Sequence, residues 1–163
     1  PEFEEAFFGF DPQKLVLVSP EQWEGYLSDR RVVRNGQKIT ALQRNLFFMQ
    51  EVVREHGSFG SFIAGWSSDD QIGLMQYLKS NGSRLGGNSG MYFLRRTGKD
   101  CFVLSRDVVT TLKSVGLDIA DRPTSKRDLL KVQTQFNAWH EETRLPFSHL
   151  SRIAACSVGE NFL

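Results

Sequence analysis

Residues 80–98 read SNGSRLGGNSGMYFLRRTG, and the fold turns on how this stretch is understood. A helical segment, QIGLMQYLKSN, runs into a loop with four glycines and no proline, and a second amphipathic run follows at once. Glycine at such a place loses more conformational freedom on folding than any other residue, so it needs a backbone reason or a functional one. Arg84 stands on one side of the glycine pair and Arg95 and Arg96 on the other.

Working outward, the rest of the chain reads as helices. SPEQWEGYLS carries Ser19 as N-cap, Pro20 at the first helical position and Gln22 three residues after the cap, a capping-box arrangement. From Gly36 to His56, Ile39, Leu42, Leu46, Met49 and Val53 recur at spacings of three and four, the buried face of one long helix that Gly57 stops. A second strong helix follows Thr124 or Ser125, with Leu129, Val132, Phe136 and Trp139 inward. Shorter helices are predicted near 59–66, 70–80, 89–97, 105–115 and 146–158. Only CFVL, residues 101–104, tempts a strand, and it is too short. The reading is an all-α fold, a single helical domain over 1–163, since 40% hydrophobic content in 163 residues buries one core.

The formal charge of +1 excludes a general polycation, but the charges are uneven. An acidic start precedes a basic run from Arg30 to Arg44, and a second cluster spans Lys79, Arg84, Arg95, Arg96, Lys99 and Arg106. Such clusters are either solvated faces or the footprint of a polyanion. Cys101 and Cys156 are far apart, which indicates neither a disulfide framework nor a zinc ribbon and fits a reducing cytosol. No apolar run approaches a membrane span. The chain begins Pro-Glu-Phe-Glu rather than with methionine, which suggests a processed or truncated product.

The glycine stretch has two physical readings. In a helix-hairpin-helix unit at about 70–97, a Gly-containing turn lets backbone N–H groups approach a DNA phosphate, and the following helix N-terminus adds its partial positive charge. Leu85 would anchor the turn, Gly86 to Asn88 would form the bend, and SGMYFLRR would be the second helix. DNA contact then falls to Arg84, Gly86, Gly87, Asn88, Ser89, Gly90 and Arg95. The alternative is an ordinary corner between helices with glycine as a C-cap.

The surrounding blocks decide between them. FEEAFFGFDPQKL, then WEGYLSDRRVVRNGQKITALQRN, then GSRLGGNSGMYFLRRTGKDCFVLSRDVV and TSKRDLLKVQTQFNAW resemble, in order, the DNA-3-methyladenine glycosylase I family of helix-hairpin-helix DNA glycosylases. The resemblance implies a base-excision enzyme that hydrolyses the N-glycosidic bond of alkylated purines in duplex DNA, extruding the base into a pocket. It implies double-stranded DNA as partner, no cofactor and no membrane, and the expectation is a cytoplasmic monomer. It also implies that the family's pocket Glu, several stacking aromatics and half of a zinc site lie upstream of FEEAF, outside this sequence. The other half, a His and a Cys three residues apart, is not reproduced: His149 and Cys156 are seven apart, so no metal is expected.

Two further comparisons concern chemistry. Relatives in the wider superfamily place a catalytic Asp after the hairpin in a V-D-T-H-V string. Laid on residues 104–108, this puts Ser105 at the Asp position and Asp107 two residues on, about 200° around a helix. Asp107 is the carboxylate left as a catalytic candidate, with a first-turn helix acid capped by Ser105 as the other reading. The lysine that glycosylase-lyases need for a Schiff base is matched by Met91, so the expected activity is monofunctional. Trp66, ending FIAGW before SSDD, is the candidate to line a pocket. Trp23, Trp139 and Phe136 read as core, and His56 and His140 as helix-end residues without evident partners.

Overall fold

The computed structural model describes residues 2–158, and its contacts fall into two compact units, residues 1–59 and 60–163. Among the described residues the regular structure is entirely helical: α1 (Glu2–Ala6), α2 (Pro12–Leu15), α3 (Pro20–Gly25), α4 (Gly36–His56), α5 (Phe59–Gly65), α6 (Gln71–Asn81), α7 (Gly87–Arg96), α8 (Arg106–Ser114), α9 (Lys126–Thr143) and α10 (Phe147–Cys156). The chain is all-α, as the periodicity predicted.

In the first unit, local chemistry starts α2, α3 and α4. The Asp11 carboxylate accepts from Gln13 N at 2.9 Å ahead of α2. Ser19 and Gln22 close the predicted capping box, with Gln22 N donating to Ser19 Oγ at 3.3 Å and Ser19 N donating to Gln22 Oε1 at 2.9 Å. Asn35 Oδ1 accepts from Lys38 N at 3.1 Å before α4. The core is aromatic: Phe7 lies 4.4 Å from Tyr26 between ring centres, Trp23 meets Tyr26 edge-on, and Tyr26 donates its hydroxyl to the Ala6 carbonyl at 2.9 Å. That bond lets the ring bury without an orphaned polar end. On α4 the buried stripe is Ile39, Ala41, Leu46, Phe48 and Val52. It departs from the predicted Met49 and Val53 in the second half, where Val53 is exposed. Spacings of three and four alone do not separate a stripe from its neighbour one residue away, because 3.6 residues per turn leaves both within reach of the core.

The second unit packs α6 to α10 around residues 101–104. Cys101, Phe102, Val103 and Leu104 are all buried, and the segment is neither helix nor strand. Side chains from the helices around it bond most of its backbone groups. The Gln71 amide both donates to Phe102 O (2.8 Å) and accepts from Phe102 N (2.7 Å). Ser151 Oγ accepts from Val103 N (3.0 Å) and donates to Val103 O (3.2 Å). Arg95 donates to Cys101 O at 2.8 Å and Asn88 to Leu104 O at 3.0 Å. Buried polar residues such as Gln71 and Ser151 are explained by this segment, since an unpaired buried backbone group is costly. Phe102 stacks on Phe136 at 4.3 Å, and Asp100 accepts from Phe147 N and Ser148 N at the start of α10.

Candidate nucleic-acid interface

Helices α6 and α7 are joined by a turn over residues 82–86, so α7 begins two residues earlier than the glycine pattern suggested. Gly87 and Asn88 belong to its first turn rather than to the bend. Gly86 is the N-cap in extended conformation, and no side chain accepts from the first-turn amides of α7. The contrast with its neighbours is direct. Asp70 caps α6, Ser105 caps α8, Ser125 caps α9, and Asp100 serves α10. Among the described helices of eight residues or more, α7 is the one whose leading N–H groups meet no side-chain acceptor.

Two glycines have distinct reasons. Gly87 has φ +56° with open space around it, so a side chain there would be strained by the backbone rather than by neighbours. Gly90 is buried, and a Cβ would stand 2.3 Å from the Leu85 carbonyl oxygen and 2.8 Å from Met75 Cε. Close packing of α7 against the turn therefore requires a hydrogen at that position. Arg84 adopts φ +60° and is exposed, Ser89 is exposed, and Leu85 is half-buried.

Within the second unit the start of α7 opens onto a cleft of about 1220 Å³, formed by α6, α7, α8, the loop 115–125 and α9. Its floor includes Ile72, Met75, Met91 and Leu104. Its walls carry Lys79, Arg106, Lys113, Arg122 and Lys126, against one carboxylate, Asp121. Five cations and one anion leave this wall at +4, although the whole chain is nearly neutral. The first residues of three helices, α7, α8 and α9, line the same space. Each contributes the positive end of its dipole. Asp121 is bonded to Lys113, whose ammonium holds the Asp121 carboxyl below the usual range. The charge on this wall has the sign that attracts an anion.

The sequence-derived candidates fall into three groups. Gly87 and Asn88 line the cleft, with Asn88 tying α7 to the buried segment through Leu104. Met91 and Ser105, the positions matched to the superfamily's lysine and aspartate, also line it, and Leu104 N lies 3.5 Å from Met91 Sδ. Three others, Arg95, Asp107 and Trp66, are not among the lining residues. Arg95 turns inward to Cys101 O, and its Nε is buried without an acceptor. Asp107 is exposed in the first turn of α8 behind the Ser105 cap and is not a lining residue. Trp66 donates to the Asp70 carbonyl at 3.0 Å and packs with Phe62 and Tyr77, apart from the cleft lining. Burial pushes the Cys101 thiol up, so it offers no nucleophile. No described group of three or more His, Cys, Asp or Glu side chains would hold a metal, and His149 and Cys156 are both exposed on α10. The two other histidines do have partners: His140 bonds Leu145 O at 2.8 Å and stacks on Phe147, and His56 lies 3.9 Å from Glu55.

Sequence reasoning missed Lys113, Arg122, Lys126 and Asp121 as parts of one site. Their signal was diluted because they lie after the glycine stretch, in a loop and two helix ends interleaved with acids. No helix among the described residues is long and apolar enough to cross a membrane. No curated protein and no solved structure matches the chain. The profile of the methyladenine glycosylase family matches residues 1–83, from the aromatic start through α6 and into the turn. The chain therefore belongs to the methyladenine glycosylase family, whose members are DNA repair glycosylases.

Proposed function

We propose that the chain is a monofunctional DNA glycosylase that hydrolyses the N-glycosidic bond of alkylated purines such as 3-methyladenine in duplex DNA. The α6–turn–α7 unit acts as a helix-hairpin-helix that seats the DNA backbone. The observation that carries this reading is the open N-terminus of α7 at the edge of a cleft walled by five cations. Backbone N–H groups fixed by glycine approach a phosphate oxygen closely, and the helix dipole adds to the attraction. Arg84 and the exposed Ser89 flank that point, while Arg95 acts from behind by holding the 101–104 segment on which α7 rests. Phosphate contacts of this kind position a duplex without reading its sequence.

Met91 in place of a Schiff-base lysine supports hydrolysis without strand cleavage. A cationic base such as 3-methyladenine leaves readily, so recognition matters more than strong acid catalysis. Asp107 is the carboxylate to test for water activation, and Trp66 the ring to test for base contact.

A second reading, DNA binding without excision, is favoured by one observation. The two positions that carry catalytic groups in the wider superfamily meet in the cleft as Met91 and Ser105. The discriminating experiment incubates the chain with methylated duplex and measures free base, beside a gel shift on unmodified duplex and a borohydride trap. The glycosylase reading expects free base, a shift and no trapped adduct. A shift without base release assigns the chain to the second reading, and no shift removes both. Asp107→Asn with normal duplex affinity but lost base release would place that carboxylate in the chemistry.

A further inference from the structure

We propose that Asp121 limits the affinity of the cleft for polyanions by occupying Lys113, and that a bound strand takes Lys113 from it. This rests on the reading of duplex DNA as the partner. Asp121 is the single carboxylate lining a cleft whose other charged side chains are Lys79, Arg106, Lys113, Arg122 and Lys126. Among the described residues its ion-pair partner is Lys113, which stands in the last turn of α8. The pair is open to water, with 44% of the Lys113 side chain and 89% of that of Asp121 accessible. An exposed pair is weak and screened, so a phosphate entering the cleft exchanges readily for the carboxylate. The other acid of this loop, Asp118, is equally exposed but is tied to Lys131 and lies outside the cleft lining. One acid therefore competes with the ligand for a cation while its neighbour does not.

The exchange has a measurable signature. Removing the Asp121 charge takes the cleft wall from +4 to +5 and frees one cation for the phosphate backbone. In the wild type the displaced Asp121 carboxylate takes up a cation from solution as the strand binds, which offsets one released counterion; without it the plot of log affinity against log salt steepens by up to about 0.9. The experiment titrates a fluorescein-labelled undamaged duplex into wild type, Asp121→Asn, Asp118→Asn, Lys113→Gln and the double variant Lys113→Gln/Asp121→Asn at several salt concentrations. Circular dichroism melts confirm that each is folded.

The expected result is about three- to ten-fold tighter binding by Asp121→Asn at low salt, with a slope steeper by up to about 0.9. Asp118→Asn should change affinity by less than about two-fold, because its pair lies outside the cleft. In the Lys113→Gln background the Asp121→Asn gain should vanish, since no cation remains to be released. An Asp121→Asn variant that binds no tighter than wild type overturns the inference. So does an equal gain in Asp118→Asn, which would reduce the effect to net charge. A gain that persists undiminished without Lys113 would mean plain repulsion instead of exchange. Absence of duplex binding by wild type at any salt would overturn the DNA reading itself, whereas binding with a silent Asp121→Asn would overturn this inference alone.

Discussion

Two stretches of non-helical backbone flank α7, and the protein treats them oppositely. Residues 101–104 are buried, and side chains of Gln71, Arg95, Asn88 and Ser151 bond all four carbonyls and the amides of Phe102 and Val103. The start of α7 is glycine, and no side chain reaches its amides. Where water is excluded, an unmade hydrogen bond is expensive, so the sequence supplies partners from distant helices. Where water or a ligand has access, leaving donors open costs little and keeps an anion site available. The first stretch is held for stability, and the second is where the proposed phosphate contact would form.

Breaking the buried stretch should have the largest effect. Gln71→Leu keeps roughly the volume but strands both the N–H and the carbonyl of Phe102, and should cost about 2–5 kcal/mol. Chemical denaturation measures this. A loss under 1 kcal/mol would mean that the segment finds other partners.

The glycines sharpen the contrast. Gly90→Ala places a Cβ against Leu85 O and should cost about 1–3 kcal/mol, with duplex affinity falling only as far as unfolding explains. Gly87→Ala meets no neighbour but strains a positive φ, at about 1 kcal/mol. Its Cβ stands among the open amides, so affinity should fall several-fold beyond the stability loss. Gly82 is a poor control, because its Cβ would meet Leu85 and the Leu78 carbonyl. Gly65→Ala, with open space and an ordinary backbone, is the suitable one. Equal affinity losses at Gly87 and Gly65 would reduce the α6–α7 turn to a simple corner.

The arginines give the smallest expected changes and the cleanest separation. Arg95→Ala removes the donor to Cys101 O and should lower stability by about 1–2 kcal/mol while leaving the salt slope of duplex binding nearly unchanged. Arg84→Ala should flatten the slope by about one. Reversed results would exchange the two roles.

Most of the fold was legible in the residues because helix signals are local. Ser19 with Gln22 marks a start whatever lies nearby, Gly57 marks a stop, and the stripe through Val132 and Phe136 marks a buried face. The site was less legible. Arg84 and Arg95 look alike in sequence, yet one is exposed beside the turn and the other faces inward, because α7 packs on a segment whose carbonyl needs a donor. Asp107 is the carboxylate that the superfamily string leaves as a candidate, and it stands in the first turn of α8, outside the cleft lining.

Local sequence by itself determined the helices, their caps and the glycine-rich turn, since those follow from backbone sterics and hydrogen bonds within a few residues. Only the tertiary structure decided that CFVL is buried with its backbone bonded to side chains of the surrounding helices, and that Lys79, Arg106, Lys113, Arg122 and Lys126 share one wall. The physical reason is range. A cap closes over three residues, whereas the partner of Val103 lies 48 residues away, and a cleft exists only once five separate elements have packed.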